Sequence, residues 1–237
     1  MSAPRILNPR TVPVAGTDGH LAAIDPQRLT PQALRERLAL AHDAQPELPG
    51  DGGRFPNSGR APSAASVLVP LVRRDDALHV LLTRRSEHLR DHAGQISFPG
   101  GRAEPGDADA VDTALRETEE EIGLARVHVE VIGRLPVYAT VSSYVVTPVV
   151  GLIEPPFELR LDRSEVDEAF EVPLPYLMTP AHHRRHVFPF DGGQRQFLSM
   201  PWLSTGREYF IWGATAAMLR NLYRLLSDAD AGGDPGR

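Results

Sequence analysis

Apolar positions along the chain change rhythm twice. Between residues 30 and 42, Leu34, Leu38 and Ala41 repeat at helical spacing. Thr30 stands as N-cap and Pro31 at the first helical position, which predicts a helix with one modest apolar stripe. From Ala64 the rhythm becomes that of strands. SVLVPLV (66–72) and LHVLLT (78–83), separated by Arg74-Asp75-Asp76, predict two strands joined as a hairpin. QISF (95–98) predicts a short strand running into a Phe98-Pro99-Gly100-Gly101 turn. Residues 127–135 and 145–153 predict further strands, and Pro148 marks the second as an edge strand or a bulge. EAFEVPL, RRHVFPF and RQFLSM predict shorter strands or turns. Helical rhythm returns in two places. Residues 109–122 form one helix, closed by Gly123 as the C-cap glycine. Residues 213–226 form the other, with Met218, Leu219, Leu222 and Leu225 or Leu226 on its buried side.

Strands mixed with two substantial helices place the chain in the α/β (or α+β) class, as a layered sandwich. Residues 1–62 read as an N-terminal helical extension ending in a linker rich in Pro and Gly (44–63). Residues 63–227 read as one globular domain, and 228–237 as a disordered tail. Of the 237 residues, 41% are hydrophobic and 24% charged, which suffices for one good core. No apolar run approaches the length of a membrane span, and MSAPRILNPRTVPVAG lacks the apolar segment of a secretory signal. There is no cysteine, so disulfide and thiolate chemistry are excluded. A cytoplasmic location is the simplest expectation. The net charge of -6 argues against a nucleic-acid surface. A polyanionic substrate would then be met by local arginines or by bound cations.

Chemistry concentrates on the helix at 109–122. Val111, Ala114, Leu115, Thr118 and Ile122 share one stripe, the expected buried side. Glu117, Glu120 and Glu121 lie at i, i+3 and i+4 on a neighbouring face. Like charges at that spacing repel, costing a few tenths of a kcal/mol per pair, about 0.2–0.5. Hard divalent cations bound through carboxylate oxygens relieve such repulsion, although a bare glutamate run is more often a solvated face. Context separates the two readings. Residues 116–124, RETEEEIGL, fit R-E-U-x-E-E-x-G-U, and a glycine turn (Gly100-Gly101) precedes the helix. In these features the chain resembles the Nudix hydrolases.

That resemblance implies an α/β/α sandwich around a mixed sheet and hydrolysis of a pyrophosphate bond. It implies Glu117, Glu120 and Glu121 as ligands of Mg²⁺ or Mn²⁺, with Arg116 orienting a glutamate by salt bridge. One departure from the family's pattern is present. Counted forward from Gly101, Asp107 falls in the first acidic slot, with one extra residue before Arg116. The roles of Asp107 and Glu104 stay open at this point.

Residues 81–101, LLTRRSEHLRDHAGQISFPGG, are similar to the segment that marks the coenzyme A pyrophosphatase branch of that family, as are 165–174 and 210–216. The resemblance implies cleavage of coenzyme A or an acyl derivative to 4'-phosphopantetheine and adenosine 3',5'-bisphosphate. Arg84, Arg85, Arg90 and His92 make a basic patch suited to phosphate, and Phe98, Gly100 and Gly101 join them as expected substrate contacts. Arg84 and Arg85 alternate on a strand end, so only one of them can face the substrate. Glu120, Glu121 and Glu165 are the candidates for the catalytic base. The partner is expected to be a small-molecule nucleotide, with neither nucleic acid nor membrane; a homodimer is compatible with the family. HHRRH (182–186) offers three histidines but no frame for a zinc site; a basic loop near the substrate is the other functional reading. Trp202 and Trp212 are expected in the core or an interface. Tyr138 and Tyr144 are left unassigned. Two other functions stay open: a Nudix enzyme for ADP-ribose or a dinucleoside polyphosphate, and a Nudix scaffold that binds a nucleotide without cleaving it.

Overall fold

The run at 66–72 is apolar on both sides because both of its faces are covered. In the computed structural model, which describes residues 6, 8–41, 44–50, 61–75, 77–89, 92–190 and 193–227, it lies in the middle of a mixed sheet. The elements are, in chain order, β1 (Val14–Thr17), α1 (Pro31–Ala39), β2 (Ser63–Arg73), β3 (Leu78–Arg85), β4 (Ile96–Ser97), β5 (Gly100–Arg102), α2 (Ala110–Ile122) and β6 (Val129–Arg134). There follow β7 (Tyr138–Ala139), β8 (Tyr144–Ile153), β9 (Val166–Pro173), α3 (Leu174–Leu177), β10 (Arg184–Phe190), β11 (Gly193–Ser204), β12 (Arg207–Trp212) and α4 (Gly213–Ser227). The larger sheet runs β4-β3-β2-β8-β6, with β5, β7 and β9 paired to β2, β8 and β3. β2 and β8 are parallel, and the other pairings are antiparallel.

Alternation along the central strands sorts two cores. Leu68 and Val72 of β2, Leu81 of β3 and Val149 and Ile153 of β8 pack with Ala114 and Ile122 of α2. Val69, Leu71, Val80, Leu82, Val150 and Leu152 face the other way, into a larger cluster with Leu219 and Leu222 of α4. The mixed sheet is therefore sandwiched between helices, as the sequence implied.

β8 departs from the sequence expectation, since Pro148 sits in a central strand rather than at an edge. It pairs with Val67 of β2 on one flank. On the other, β7 pairs as far as Val146 and β6 begins at Val149. The Pro148 carbonyl accepts from Leu135 on that flank, so the missing N–H falls where one neighbour ends and the next begins. Of the segments expected as shorter strands or turns, RRHVFPF is β10 with the bounds foreseen, while RQFLSM belongs to the longer β11. β10, β11 and β12 build a second, antiparallel sheet, in the order β1-β10-β11-β12.

The N-terminal residues are tied into the same core. β1 pairs with β10, and Ile24, Leu29, Leu34 and Leu38 are buried in the larger cluster. Arg37 donates to the Leu225 carbonyl at 2.6 Å. Of the Pro/Gly-rich stretch, residues 44–50 are described. Leu48 exchanges two 2.9 Å hydrogen bonds with the Asn221 side chain. Residues 51–60 and the 228–237 tail lie outside the described residues. No helix among the described residues is long and apolar enough to cross a membrane.

The three histidines of HHRRH serve the fold, which corrects both functional readings of them. His186 hydrogen-bonds the Val12 carbonyl at 2.9 Å and Ser199 Oγ at 2.8 Å. His182 stacks on Tyr176 and bonds its carbonyl. His183 is fully buried; its Nε2 meets the Leu177 carbonyl at 2.7 Å and its Nδ1 faces Arg220 Nη1 at 3.2 Å. Since Nε2–H donates and Nδ1 accepts, the ring is neutral, and a second proton would point at a guanidinium. Burial, with Arg220 and His182 adding to it, lowers its pKa to about 4 against the pull of Leu177 and Asp18. Between about 4 and 6.5 the unfolded chain thus binds a proton that the folded chain refuses. Stability is complete above pH 6.5 and declines toward pH 4, by on the order of 3 kcal/mol from this group. Urea melts across that window should show the decline, and His183→Gln should flatten it.

Candidate active site

Helix α2, which carries the candidate site residues, is positioned at both ends. Asp109 caps its start, accepting from Val111 and Asp112 N–H at 2.7 and 3.0 Å. Gly123 ends it in the left-handed region (φ 68°), with the Arg160 backbone packed so close that a Cβ would lie 2.9 Å from its nitrogen. Arg160 and Asp162 N–H then satisfy the Ile122 and Glu121 carbonyls. Thr118, Ala114 and Ile122 are buried as the stripe predicted, while Val111 and Leu115 are partly buried against the same cluster.

Arg116 organises the acidic face. It grips Asp107 in two parallel bonds, Nε to Oδ1 at 2.8 Å and Nη2 to Oδ2 at 3.0 Å. Its Nη1 reaches Glu117 Oε1 and Glu120 Oε2, both at 3.0 Å, and Nη2 also donates to the Arg102 carbonyl at 3.1 Å. Asp107 Oδ2 receives Glu104 N–H and Thr113 Oγ1 as well, each at 2.8 Å. With these donors, Arg116 foremost, Asp107 is held well below the usual carboxylate range. The one-residue irregularity is absorbed in the loop before the helix, so that Asp107 still meets Arg116. Sequence spacing alone left that open; Glu104 contributes its backbone N–H.

Glu121 has a different environment. Only 3% of it is exposed, and its Oε2 accepts from Gly100 N–H at 3.1 Å while Oε1 lies 3.3 Å from Arg85 Nη1. Burial raises its pKa to about 7; Gly100 and Arg85 oppose the rise, and the charges of Glu165 and Glu117 add to it. Burial likewise raises Glu117, against Arg116 and with help from Glu120 and Glu165. Glu165, exposed just before β9, thus stands within electrostatic reach of both helix carboxylates. Its own carbonyl accepts from Ser86 N–H at 2.8 Å, which fixes it beside the end of β3.

The two glycines are required for different reasons. Gly100 has φ +148°, and a Cβ there would lie 2.4 Å from the Ser66 carbonyl oxygen. A Cβ on Gly101 would lie 2.4 Å from Glu117 Oε2, the mobile end of a side chain. Gly100→Ala should therefore cost stability, about 1–3 kcal/mol. Gly101→Ala should cost less than that and instead displace Glu117, lowering turnover about 10- to 100-fold. Paired thermal melts and rate measurements on the two variants separate these outcomes.

The remaining substrate candidates divide. Arg85 points into the carboxylate cluster. Arg84, one residue earlier on the strand, points to the other face and meets Glu168 at 3.2 Å and Asp167 at 3.4 Å. His92 is exposed and bonds Gln95 Oε1 at 2.9 Å. Phe98, expected against substrate, is instead 2% exposed within the larger core, because its ring anchors the glycine turn to that core. Arg90 lies outside the described residues. Tyr138 is buried in the core and Trp202 packs edge-on to Tyr176; Trp212 packs edge-on to Phe197.

The donor chemistry suits a hard divalent cation. The groups offered are carboxylate oxygens, the ligands that Mg²⁺ and Mn²⁺ take, and burial with mutual repulsion favours protons on Glu117 and Glu121 when no metal offsets it. As placed, Glu117 and Glu120 lean on Arg116, and no three acidic or histidine side chains among the described residues converge to enclose an ion.

The NUDIX domain model matches residues 62–190. The uncharacterized Nudix hydrolase NudL of Escherichia coli (strain K12) is 46% identical over 158 residues, covering 67% of this chain and 80% of that protein. Among solved structures, the Nudix hydrolase RenU of M. smegmatis superposes with a TM-score of 0.46 at 17% identity, over 75% of this chain and 92% of that one. A C. elegans Ap4A hydrolase gives 0.41 at 21%, over 46% and 80%. By the span of the domain match and the identity to NudL, the chain belongs to the Nudix hydrolases.

Proposed function

We propose that the chain hydrolyses the pyrophosphate bond of coenzyme A or an acyl-coenzyme A, releasing 4'-phosphopantetheine and adenosine 3',5'-bisphosphate. The observation that carries this reading is the contact of residues 81–101 with the catalytic helix. Arg85 from that segment lies 3.3 Å from Glu121, and Gly100 N–H from its other end lies 3.1 Å from the same carboxylate. The segment that resembles the coenzyme A branch thus forms a wall of the catalytic cluster.

Glu117, Glu120 and Glu121 are the residues to hold Mg²⁺ or Mn²⁺. Such a cation, when bound, neutralises diphosphate charge and lowers the pKa of water. Arg116, itself clamped by Asp107, sets the carboxylates Glu117 and Glu120, and Gly100 N–H sets Glu121. Arg85 presents a guanidinium at the edge of the same cluster, suited to a diphosphate oxygen. Glu165 is the acid that fits the base role. It is exposed, it has no side-chain hydrogen bond among the described residues, and its charge acts on Glu117 and Glu121 from outside the helix.

The test is incubation of the purified chain with coenzyme A, dephospho-coenzyme A and ADP-ribose, each with Mg²⁺, with Mn²⁺ and with chelator, the products resolved by mass. Metal-dependent release of 4'-phosphopantetheine and adenosine 3',5'-bisphosphate is the expected result. Cleavage of ADP-ribose alone keeps the family chemistry and removes this substrate. A metal-dependent nucleotide complex without turnover removes the enzymatic reading altogether.

A further inference from the structure

Between β8 and β9, one aspartate holds both the end of α2 and the backbone that leads to Glu165. Asp162 N–H donates to the Glu121 carbonyl at 2.9 Å, next to the Arg160 N–H that takes the Ile122 carbonyl. The Asp162 carbonyl accepts from Glu165 N–H at 3.0 Å and from Val166 N–H at 2.8 Å. Its side chain closes the turn from within. Oδ1 accepts Ser164 N–H at 2.8 Å and the Ser164 hydroxyl at 2.7 Å. Those two donors hold the Asp162 carboxyl below the usual carboxylate range. It is the acceptor by which a short turn fixes its own backbone two residues on.

The far side of Glu165 is fixed as well. Its carbonyl accepts from Ser86 N–H at 2.8 Å, and Val166 is fully buried in the core under α2. Val166 pairs with Arg85 and Glu168 with Arg84, which leaves Asp167 as the extra residue of a bulge. Bulges bend a strand and re-aim the side chains beside them. Arg163 Nη1 closes onto the Asp167 carbonyl at 2.5 Å. The Glu165 backbone is therefore tied on one side, through Asp162, to the Glu121 carbonyl. On the other it is tied to the strand end that carries Arg85, whose guanidinium lies 3.3 Å from the Glu121 carboxylate.

We propose that Asp162 is a positioning residue, whose turn holds Glu165 at a fixed place relative to the carboxylates of α2. The proposal rests on the reading of Glu165 as the base. A base must come within hydrogen-bond reach of the proton it takes, and a misplacement of about 1 Å costs on the order of 10²-fold in rate. The Glu165 side chain is exposed and has no hydrogen bond of its own among the described residues, so that precision has to come from the backbone.

Asp162→Ala removes the acceptor for Ser164, whereas Asp162→Asn keeps an amide oxygen in its place. Asp162 is exposed, so both variants should keep the fold, with Tm lowered by no more than about 4 °C. Two measurements are made on the full-length chain. In chelator, amide exchange followed by NMR should show Ser164 and Glu165 N–H less protected in Asp162→Ala than in the wild type or Asp162→Asn. The Gly123 N–H at the end of α2 should be unchanged. With Mg²⁺, kinetics are measured on coenzyme A or ADP-ribose, whichever the wild type cleaves. Asp162→Ala should lower kcat about 10- to 100-fold at unchanged KM, and Asp162→Asn should recover most of the loss. In a Glu165→Gln background, Asp162→Ala should lower kcat no further. Unchanged exchange in Asp162→Ala, equal losses in the Ala and Asn variants, or a raised KM in place of a lowered kcat overturns the positioning role. So does a full additional loss on top of Glu165→Gln. If Glu165→Gln itself turns over at the wild-type rate, the base reading has failed. If Glu165→Gln is slow and Asp162→Ala is not, only the positioning role has failed. A wild type that cleaves neither substrate removes the enzymatic reading on which both stand.

Discussion

Glu121→Gln should lower turnover by about 10²- to 10⁴-fold while leaving the metal-free protein as stable as the wild type or more so. The two effects have one origin. Glu121 is almost wholly inside the protein, and burial lifts its pKa to about 7. An acid whose folded pKa is raised binds its proton more tightly when folded. Folding is therefore favoured below the unfolded value of 4.5 and loses stability as pH rises through 7. Above that, the chain carries a buried carboxylate charge whose relief comes from one backbone N–H, from Arg85 and from a cation. Glutamine keeps the shape and the acceptor for Gly100 N–H but has no charge to bury. In chelator at pH 8, thermal melts should show the variant no less stable than wild type. With Mg²⁺ or Mn²⁺ the wild type should rise in Tm and the variant should respond less. A variant that turns over at near the wild-type rate removes Glu121 from the metal site. One that loses both activity and metal-free stability assigns it a structural role instead.

The largest expected loss of stability lies far from this cluster, at Asp18. Its carboxylate is 1% exposed and accepts from Arg185 at 2.5 and 2.9 Å, with Arg220 Nη1 at 3.0 Å. Arg220 is itself 3% exposed and holds Glu47 through Nε at 2.8 Å. The network joins the turn after β1, the stretch before β2, β10 and α4. Asp18→Ala leaves the Arg220 guanidinium buried with one carboxylate where it had two, and should cost about 3–5 kcal/mol. In a chain of this size that is a fall in Tm of roughly 6–20 °C. Replacing both partners, as Asp18→Ala with Arg220→Met, should recover part of the loss, because the stranded charge is gone. At temperatures where the single variant is folded, its kcat should match the wild type. A fall below 1 kcal/mol in chemical denaturation shows that water reaches the site and that the N-terminal residues are held by their other contacts.

The sequence by itself determined the parts of this protein that depend on local spacing. Helical period and Gly123 fix α2, and the i, i+3, i+4 placement of Glu117, Glu120 and Glu121 follows from the helix without reference to anything else. The two-sided apolar run in β2 and the glycine turn before α2 were legible for the same reason. What the tertiary structure decided are contacts between groups distant in sequence, which no period encodes. Whether Asp107 reaches Arg116 depended on how the intervening loop absorbs one extra residue. Pro148 is central rather than at an edge because two partners, β6 and β7, meet beside it. The histidines near 183 joined the fold because the segment before β1 and helix α4 arrive there with Val12 and Arg220. Arg84 and Arg85 were equivalent in the sequence; only strand pairing with β9 sends one to Glu168 and the other to Glu121. Local hydrogen bonding and hydrophobic period act over a few residues, and those the sequence carries openly. Charge pairing and layer packing act through space, so their partners appear only once the sheets are assembled.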